Sequence, residues 1–374
     1  MARSLCLTRK PRIIALVACV VGLTACTSSD VPAITAASAR PRAQPRPRIP
    51  LSQLVGQHLM GRFTGTTPSG SFLLRIARGE LGGVILVTPN ITSPSGVAKT
   101  IAQLQYAARR GGQPPLLIAI DQEGGSVKRL VTAPPFESAR QLGASGDAER
   151  ARSSGLGTGR ALRTIGINVD FAPVLDVPGS NGSFLGSRAF DKDPETVARV
   201  GVAFAQGLEG ARVAATAKHF PGIGTARANT DGADVTVRSA RSVLLRRLAP
   251  FEAAVRSGID LVMVSSARYP ALDSTQLPAL LSPTIVRDLL RRQLGFEGVV
   301  VTDTMGGRAV AAFPHAPVRA LRAGVDVLLY ATSEGASAAG YDLLVRAARA
   351  GAFRRGELRQ SYDRVLRLKS RVAR

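Results

Sequence analysis

Eight short runs rich in Val, Ile and Leu recur along the chain, near residues 58–63, 83–87, 116–121, 169–174, 213–219, 261–265, 299–303 and 325–330. Each has the length of a strand, and continuous apolar strands are buried on both faces, which implies a parallel sheet. Between them lie helix-length segments, 95–110, 147–165, 194–210, 239–257, 283–294 and 337–350, with apolar residues at three- and four-residue steps. Gly166, Gly258 and Gly295 follow three of these segments, where helix C-caps are expected. Strand alternating with helix over residues 51–374 predicts an α/β fold, a single-domain (β/α)8 TIM barrel, in preference to a doubly wound sheet. A last amphipathic segment, 355–372, is expected to pack on the outside of that barrel.

Ahead of the barrel the pattern changes. Residues 1–25 begin with Arg9, Lys10 and Arg12, run through an apolar stretch from Ile13 to Gly22, and end on Leu23, Thr24 and Ala25 before Cys26. A basic start and a short apolar run describe a secretory signal peptide, because the run is too short to cross a bilayer core. The small residues before Cys26 resemble the lipobox of bacterial lipoproteins, which implies cleavage there and a lipid on the Cys26 thiol. Cys6 and Cys19 lie in the segment that would be removed, so neither a disulfide framework nor a thiolate metal site is expected. Residues 26–50 carry Pro32, Pro41, Pro45, Pro47 and Pro50 and read as a semi-extended tether. The expected product is exported and lipid-anchored to the outer face of the cell membrane, a monomer with its barrel at 51–374.

The formal net charge of +23 raises the question of nucleic acid. Residues 1–50 carry +7 of it and the barrel +16, and 43 of the 49 basic residues are Arg. No run interleaves Arg with aromatic residues as a base-stacking groove would, so a nucleic-acid partner is excluded.

Chemistry in such a barrel sits on the loops after the strands. The polar residues that end the runs are Asp121 to Gly125, Asp176, Lys218 with His219, Ser265 with Ser266, and Asp303. Charges at several successive strand ends suggest a mouth that binds a polyol or an anion. A strand-end Asp is by itself equally a helix N-cap, and a lone His is more often a core residue. His58 and His315 read as structural or exposed.

Four segments carry a resemblance: IAIDQEGGSVKRL (118–130), GSRAF followed by DP (186–194), AKHFPGIG (217–224) and FEGVVVTDTM (296–305). In this order and spacing they resemble glycoside hydrolase family 3, and most closely its single-domain β-N-acetylglucosaminidases, several of which are lipoproteins. The resemblance spans essentially all of 51–374. It implies a retaining glycosidase with Asp303 as nucleophile, since retention needs one carboxylate to attack the anomeric carbon and a second group to protonate the leaving oxygen. It also implies that Asp121, Arg129, Arg188, Lys218 and His219 bind substrate, through carboxylate and charge-assisted hydrogen bonds to sugar hydroxyls.

The sequence departs from that family at the proton donor. The acetylglucosaminidase subgroup has His-Gly after KHFPG and then Asp-Ser-His on the same loop, whereas this chain has Ile223 and then Asn229-Thr230-Asp231. Ungapped counting from Lys218 puts Asp231 at the donor position. Three readings follow: Asp231 is the acid/base, its pKa raised by burial and by a neighbouring negative charge; Asp234 or another loop carboxylate serves; or the site binds sugar and hydrolyses it weakly. Ser126 and Ser266 also stand where Arg and His are frequent in the family.

The leading expectation is therefore an exported β-N-acetylhexosaminidase acting on β-linked amino-sugar saccharides of peptidoglycan, with no metal and no organic cofactor. A carbohydrate-binding lipoprotein of weak activity, or a β-glucosidase or β-xylosidase of the same family, is the alternative.

Overall fold

The computed structural model describes residues 49–179, 183–230 and 232–373. The expected signal peptide, Cys26 and nearly all of the expected tether fall outside these residues, and so does Asp231.

Eight parallel strands form one sheet: β1 (Leu59–Gly61), β2 (Gly83–Leu86), β3 (Leu117–Ile120), β4 (Val169–Asp170), β5 (Ala214–Phe220), β6 (Leu261–Val264), β7 (Val299–Thr302) and β8 (Leu328–Leu329). Neighbours in sequence are neighbours in space, and β8 pairs back onto β1 through Leu59 with Leu328 and Met60 with Leu329. A bridge between Val301 and Val327 brings β7 beside β8, so the sheet curls into the expected barrel.

The strands are apolar throughout because successive side chains go alternately to the axis and to the helices. Met60, Ile85, Leu117, Val169, Ala214, Leu261, Val299 and Leu329 share one buried cluster inside the barrel. Their neighbours Leu59, Val84, Ile118, Ala215, Val262, Val300 and Leu328 belong to the larger cluster under the helices. Carrying the inward phase up the strands in steps of two leads from Leu117 to Asp121, from Ala214 to Lys218 and from Val299 to Asp303. The fold thus delivers charged side chains to the mouth at the strands' C-terminal ends.

Helices flank the barrel at Pro94–Arg110, Ala148–Thr164, Pro194–Gly210 and Glu334–Arg349, close to the periods read from the sequence. Gly166, Gly258 and Gly295 all have positive φ, as C-cap glycines should. Two expectations need correction. The segment 239–257 is two helices, Arg241–Arg246 and Ala249–Arg256, because Pro250 lacks the N–H that a continuous helix needs and instead sits in the first turn of the second. The last helix, Arg355–Ala373, does not simply lie on the outside: Val365, Leu368 and Val372 join the barrel-interior cluster, so it closes the end opposite the mouth. Its polar side chains grip residues just ahead of the strands, Lys369 on Gln57 and Arg371 on Asp260, while Ser361 and Arg364 hold Asp326.

Candidate active site

Two polar clusters occupy the mouth. The first is built on Lys218, which is fully buried and reaches Asp121 Oδ1 at 2.8 Å and Glu123 Oε1 at 2.7 Å. Arg188 grips the same Glu123 with both ends of its guanidinium, Nε to Oε2 at 2.7 Å and Nη2 to Oε1 at 2.8 Å. Arg129 lies 3.7 Å from Asp121 Oδ2. Burial alone would raise the Glu123 carboxyl, yet the charges and hydrogen bonds of Lys218 and Arg188 outweigh it and hold the group at about 2. Burial likewise pulls the Lys218 ammonium down, and the two carboxylates more than reverse this. Lys218 is therefore a fixed cation, with Asp121 the more open of its two partners.

Gln122 explains why Asp121 and Glu123 are so well placed. Its buried amide accepts from the N–H groups of Arg129 and Leu130 and donates to the carbonyls of Leu130 and Pro134, folding the following segment back on itself. Its own N–H donates to Asp170 Oδ1 at 2.9 Å. Burial pushes the Asp170 carboxyl up to about 8, so it is protonated at neutral pH beneath the cluster.

The second cluster surrounds Asp303, at the end of β7. Its Oδ1 accepts from the N–H of Thr304 at 2.7 Å, and its Oδ2 accepts from the hydroxyls of Thr230 and Ser266, both at 3.0 Å. The next helix begins at Arg308 with Gly307 as its cap, so Asp303 is not a helix N-cap. Thr230 comes from the long loop after β5, and Ser266 from the end of β6. A buried carboxylate held by three donors is fixed in orientation, which is what an attacking carboxylate requires.

His219 follows Lys218 through a cis peptide bond. Its Nδ1 lies 2.7 Å from Asp176 Oδ2; the carboxylate oxygen accepts, so Nδ1 carries the hydrogen. Asp176 is fully buried and also accepts from the N–H groups of His219 and Ile223. It fixes both the imidazole and the start of the loop that bears Thr230. His58, by contrast, is a core residue with Nδ1 at 2.7 Å from the Asp326 carbonyl.

Of the residues singled out from the sequence, Asp121, Arg129, Arg188, Lys218 and His219 gather at the mouth beside Asp303, while Asp231 and Cys26 lie outside the described residues. Asp234 pairs with Arg268 at 2.7 Å and is half exposed. The sequence marked Glu123 and Asp176 as polar strand ends without giving either a role, and did not mark Asp170 or Thr230 as site residues. A second carboxylate two positions after Asp121 was the available signal for Glu123. Ser266, noted as a departure, proves to be a direct ligand of Asp303.

The family profile described as "Glycosyl hydrolase family 3 N terminal domain" matches residues 65–368. An uncharacterized secreted glycosyl hydrolase of Arthroderma benhamiae is 35% identical over 343 residues, covering 88% of this chain and 96% of that protein. The solved family 3 β-N-acetylglucosaminidase of Paenibacillus sp. superimposes with a TM-score of 0.83 at 38% identity, over 87% of this chain and 63% of that one. A β-N-acetylhexosaminidase structure from Beutenbergia cavernae gives a TM-score of 0.79 at 32% identity, over 86% of this chain and 99% of its own. With the barrel, the strand-end carboxylate and the buried lysine all in place, the chain belongs to glycosyl hydrolase family 3.

Proposed function

We propose that this protein is an exported retaining β-N-acetylhexosaminidase that acts on peptidoglycan-derived saccharides through a glycosyl ester on Asp303. One observation carries the reading: Asp303 is buried at the mouth with three donors on its carboxylate, next to the Lys218 cluster. In this reading Asp121, held by Lys218 and Arg129, accepts hydrogen bonds from sugar hydroxyls, and His219, held on Asp176, is a further hydrogen-bonding group for substrate. Asp303 attacks the anomeric carbon as the bond to the leaving oxygen breaks and that oxygen takes a proton; water then cleaves the ester with the proton donor acting as base. We assign the donor to Asp231, which follows Thr230 on the loop tied to Asp303.

The amino-sugar preference rests on the relatives: β-N-acetylglucosaminidase and β-N-acetylhexosaminidase are the activities of the two solved structures, and a relative 33% identical over 285 residues, from Nitrosomonas eutropha, is a β-hexosaminidase. Export rests on residues 1–25 and on the secreted relative, and the anchor on Cys26. A monomer needs no further chain, because each site residue named here comes from a single barrel. The test is release of nitrophenol from the β-N-acetylglucosaminide, β-glucoside and β-xyloside. Fastest turnover of the first supports the proposal, and preference for either of the others overturns its substrate. Membrane fractionation of Cys26→Ala tests the anchor, which fails if the variant partitions as wild type does.

A further inference from the structure

We propose that the closed end of the barrel, opposite the catalytic mouth, is a docking surface for anionic lipid headgroups. The arginines Arg78, Arg109, Arg110, Arg349 and Arg355 supply its charge, and Leu74 and Tyr106 its apolar contacts. This goes beyond the proposed hydrolysis and does not depend on it.

The placement follows from the fold. In a parallel barrel every flanking helix runs back from mouth to closed end, so helix C-termini collect there. Basic residues occupy the last turns of most of those helices, at Arg109 and Arg110, at Arg163, at Arg256, at Arg322, and at Arg346 and Arg349, the helix Pro194–Gly210 being an exception. The helix dipole accounts for one cation at such an end. It does not account for the doublets, nor for Arg354 and Arg355, which are exposed at the N-terminal end of the last helix, where the dipole disfavours cations. Acidic residues occur at both ends, Glu80, Glu297 and Glu357 at the closed end and Glu137, Asp191, Asp193 and Asp234 beside Arg140, Lys192 and Arg241 at the mouth, but the closed end has the larger excess of arginine.

Charge alone would suit any polyanion. The apolar residues decide for lipid. Among the described residues five large apolar side chains are exposed: Tyr106 at 56% and Leu74 at 49% at this end, Val131 and Phe136 on the loop after β3, and Leu245 on the helix Arg241–Arg246. Leu74 stands four residues before Arg78, and Tyr106 four before Arg110, so each shares a helix face with an arginine. Arg109 also lies over the Tyr106 ring, 6.0 Å from its centroid. The helices Gly70–Ala77 and Pro94–Arg110 adjoin: a Cβ on Gly111 would come within 1.8 Å of the Ala77 carbonyl oxygen. Apolar and aromatic groups interleaved with arginine on one surface suit a headgroup boundary, where the rings bury and the cations meet phosphate.

The chain enters from the same side. Leu51–Gly56, the first helix described, leads into β1 from its N-terminal end, and a Cβ on Gly56 would meet the Gly79 carbonyl oxygen at 1.8 Å. Docking by this end directs the mouth away from the bilayer.

The full chain carrying Cys26→Ala, sedimented with vesicles of phosphatidylcholine alone or mixed with phosphatidylglycerol, reads the surface directly. Added salt should release it. In that background the triple variant Arg78→Gln, Arg109→Gln, Arg110→Gln should lose anionic-vesicle binding by about 100-fold, at roughly five-fold per arginine. The mouth-end triple Arg140→Gln, Lys192→Gln, Arg241→Gln should bind as its parent does. Leu74→Ser with Tyr106→Ser should weaken vesicle binding and leave retention on polyglutamate unchanged. Circular dichroism and hydrolysis of a soluble aryl glycoside should be the same for all, which separates docking from folding and from catalysis. Equal losses in the two triples, no loss in the first, or an apolar pair that binds vesicles as its parent does would each overturn the proposal. The last outcome, with the first triple impaired, would assign the surface to a soluble polyanion.

Discussion

The Thr230 hydroxyl donates a 3.0 Å hydrogen bond to Oδ2 of Asp303, joining the loop after β5 to the end of β7. Ser266 donates to the same oxygen at the same distance. Removing a donor from a buried carboxylate costs about 1.5–3 kcal/mol. Thr230→Val and Ser266→Ala are therefore each expected to lower kcat/KM by roughly 10- to 100-fold and to lower the melting temperature by a few degrees. Because both bonds converge on one oxygen, the double variant should depart from additivity, which a double-mutant cycle would measure.

Asp231→Asn separates proton donation from nucleophilic attack. A nitrophenolate leaves with little assistance, so hydrolysis of the nitrophenyl glycoside is expected to stay within roughly ten-fold of wild type when the first step limits the rate. An alkyl or disaccharide leaving group needs the proton, and its kcat/KM should fall by on the order of 10²–10⁴. Full activity of Asp231→Asn on the disaccharide would move the role to another group.

Glu123 ties the binding cluster together, and Glu123→Gln should destabilise the protein by about 3–5 kcal/mol because it strands Lys218 and Arg188 in a buried site. The pH dependence has a definite sign. A carboxyl lowered from 4.5 to about 2 contributes stability that is present above pH 4.5 and lost as pH falls toward 2. The contribution is about 3 kcal/mol, so acid unfolding of Glu123→Gln should show a correspondingly shallower slope in that window.

At the closed end, burial lowers the Lys369 ammonium from 10.5 to about 7. The unfolded chain then binds more protons than the folded one between those values, so stability rises with pH across the window. Lys369→Met, close in volume, is expected to be more stable than wild type at pH 7, with an advantage that narrows by about 1.4 kcal/mol per pH unit above it. Denaturant titrations at pH 7, 8 and 9 would show whether the gap closes.

How far these features could be read in advance depends on the range of the interaction that makes them. The eight strands were legible because burial on both faces leaves a continuous apolar run, and the helix ends because Gly166, Gly258 and Gly295 need positive φ. Lys218 and Asp303 could be placed at the mouth from strand phase alone. Arg188 could not be matched to Glu123, because 65 residues separate them and only barrel closure brings the two loops together. The last helix shows the same limit. Its apolar spacing was evident, yet nothing local specifies that Val365 and Leu368 fill the end of the barrel and not its flank. Asp176 was visible as a polar strand end, but its role depends on three donors from the segment 219–223.

The nucleophile is the centre of the account, and trapping the covalent intermediate tests it most directly. A 5-fluoro N-acetylglucosaminyl fluoride should form the glycosyl ester quickly and hydrolyse it slowly, so that intact mass and peptide mapping locate the sugar. One sugar adduct is expected, on the peptide that contains Asp303 and absent from Asp303→Asn, whose turnover of the nitrophenyl substrate should be lower by on the order of 10⁴. An adduct on another residue, or wild-type turnover no faster than that of Asp303→Asn, would contradict it.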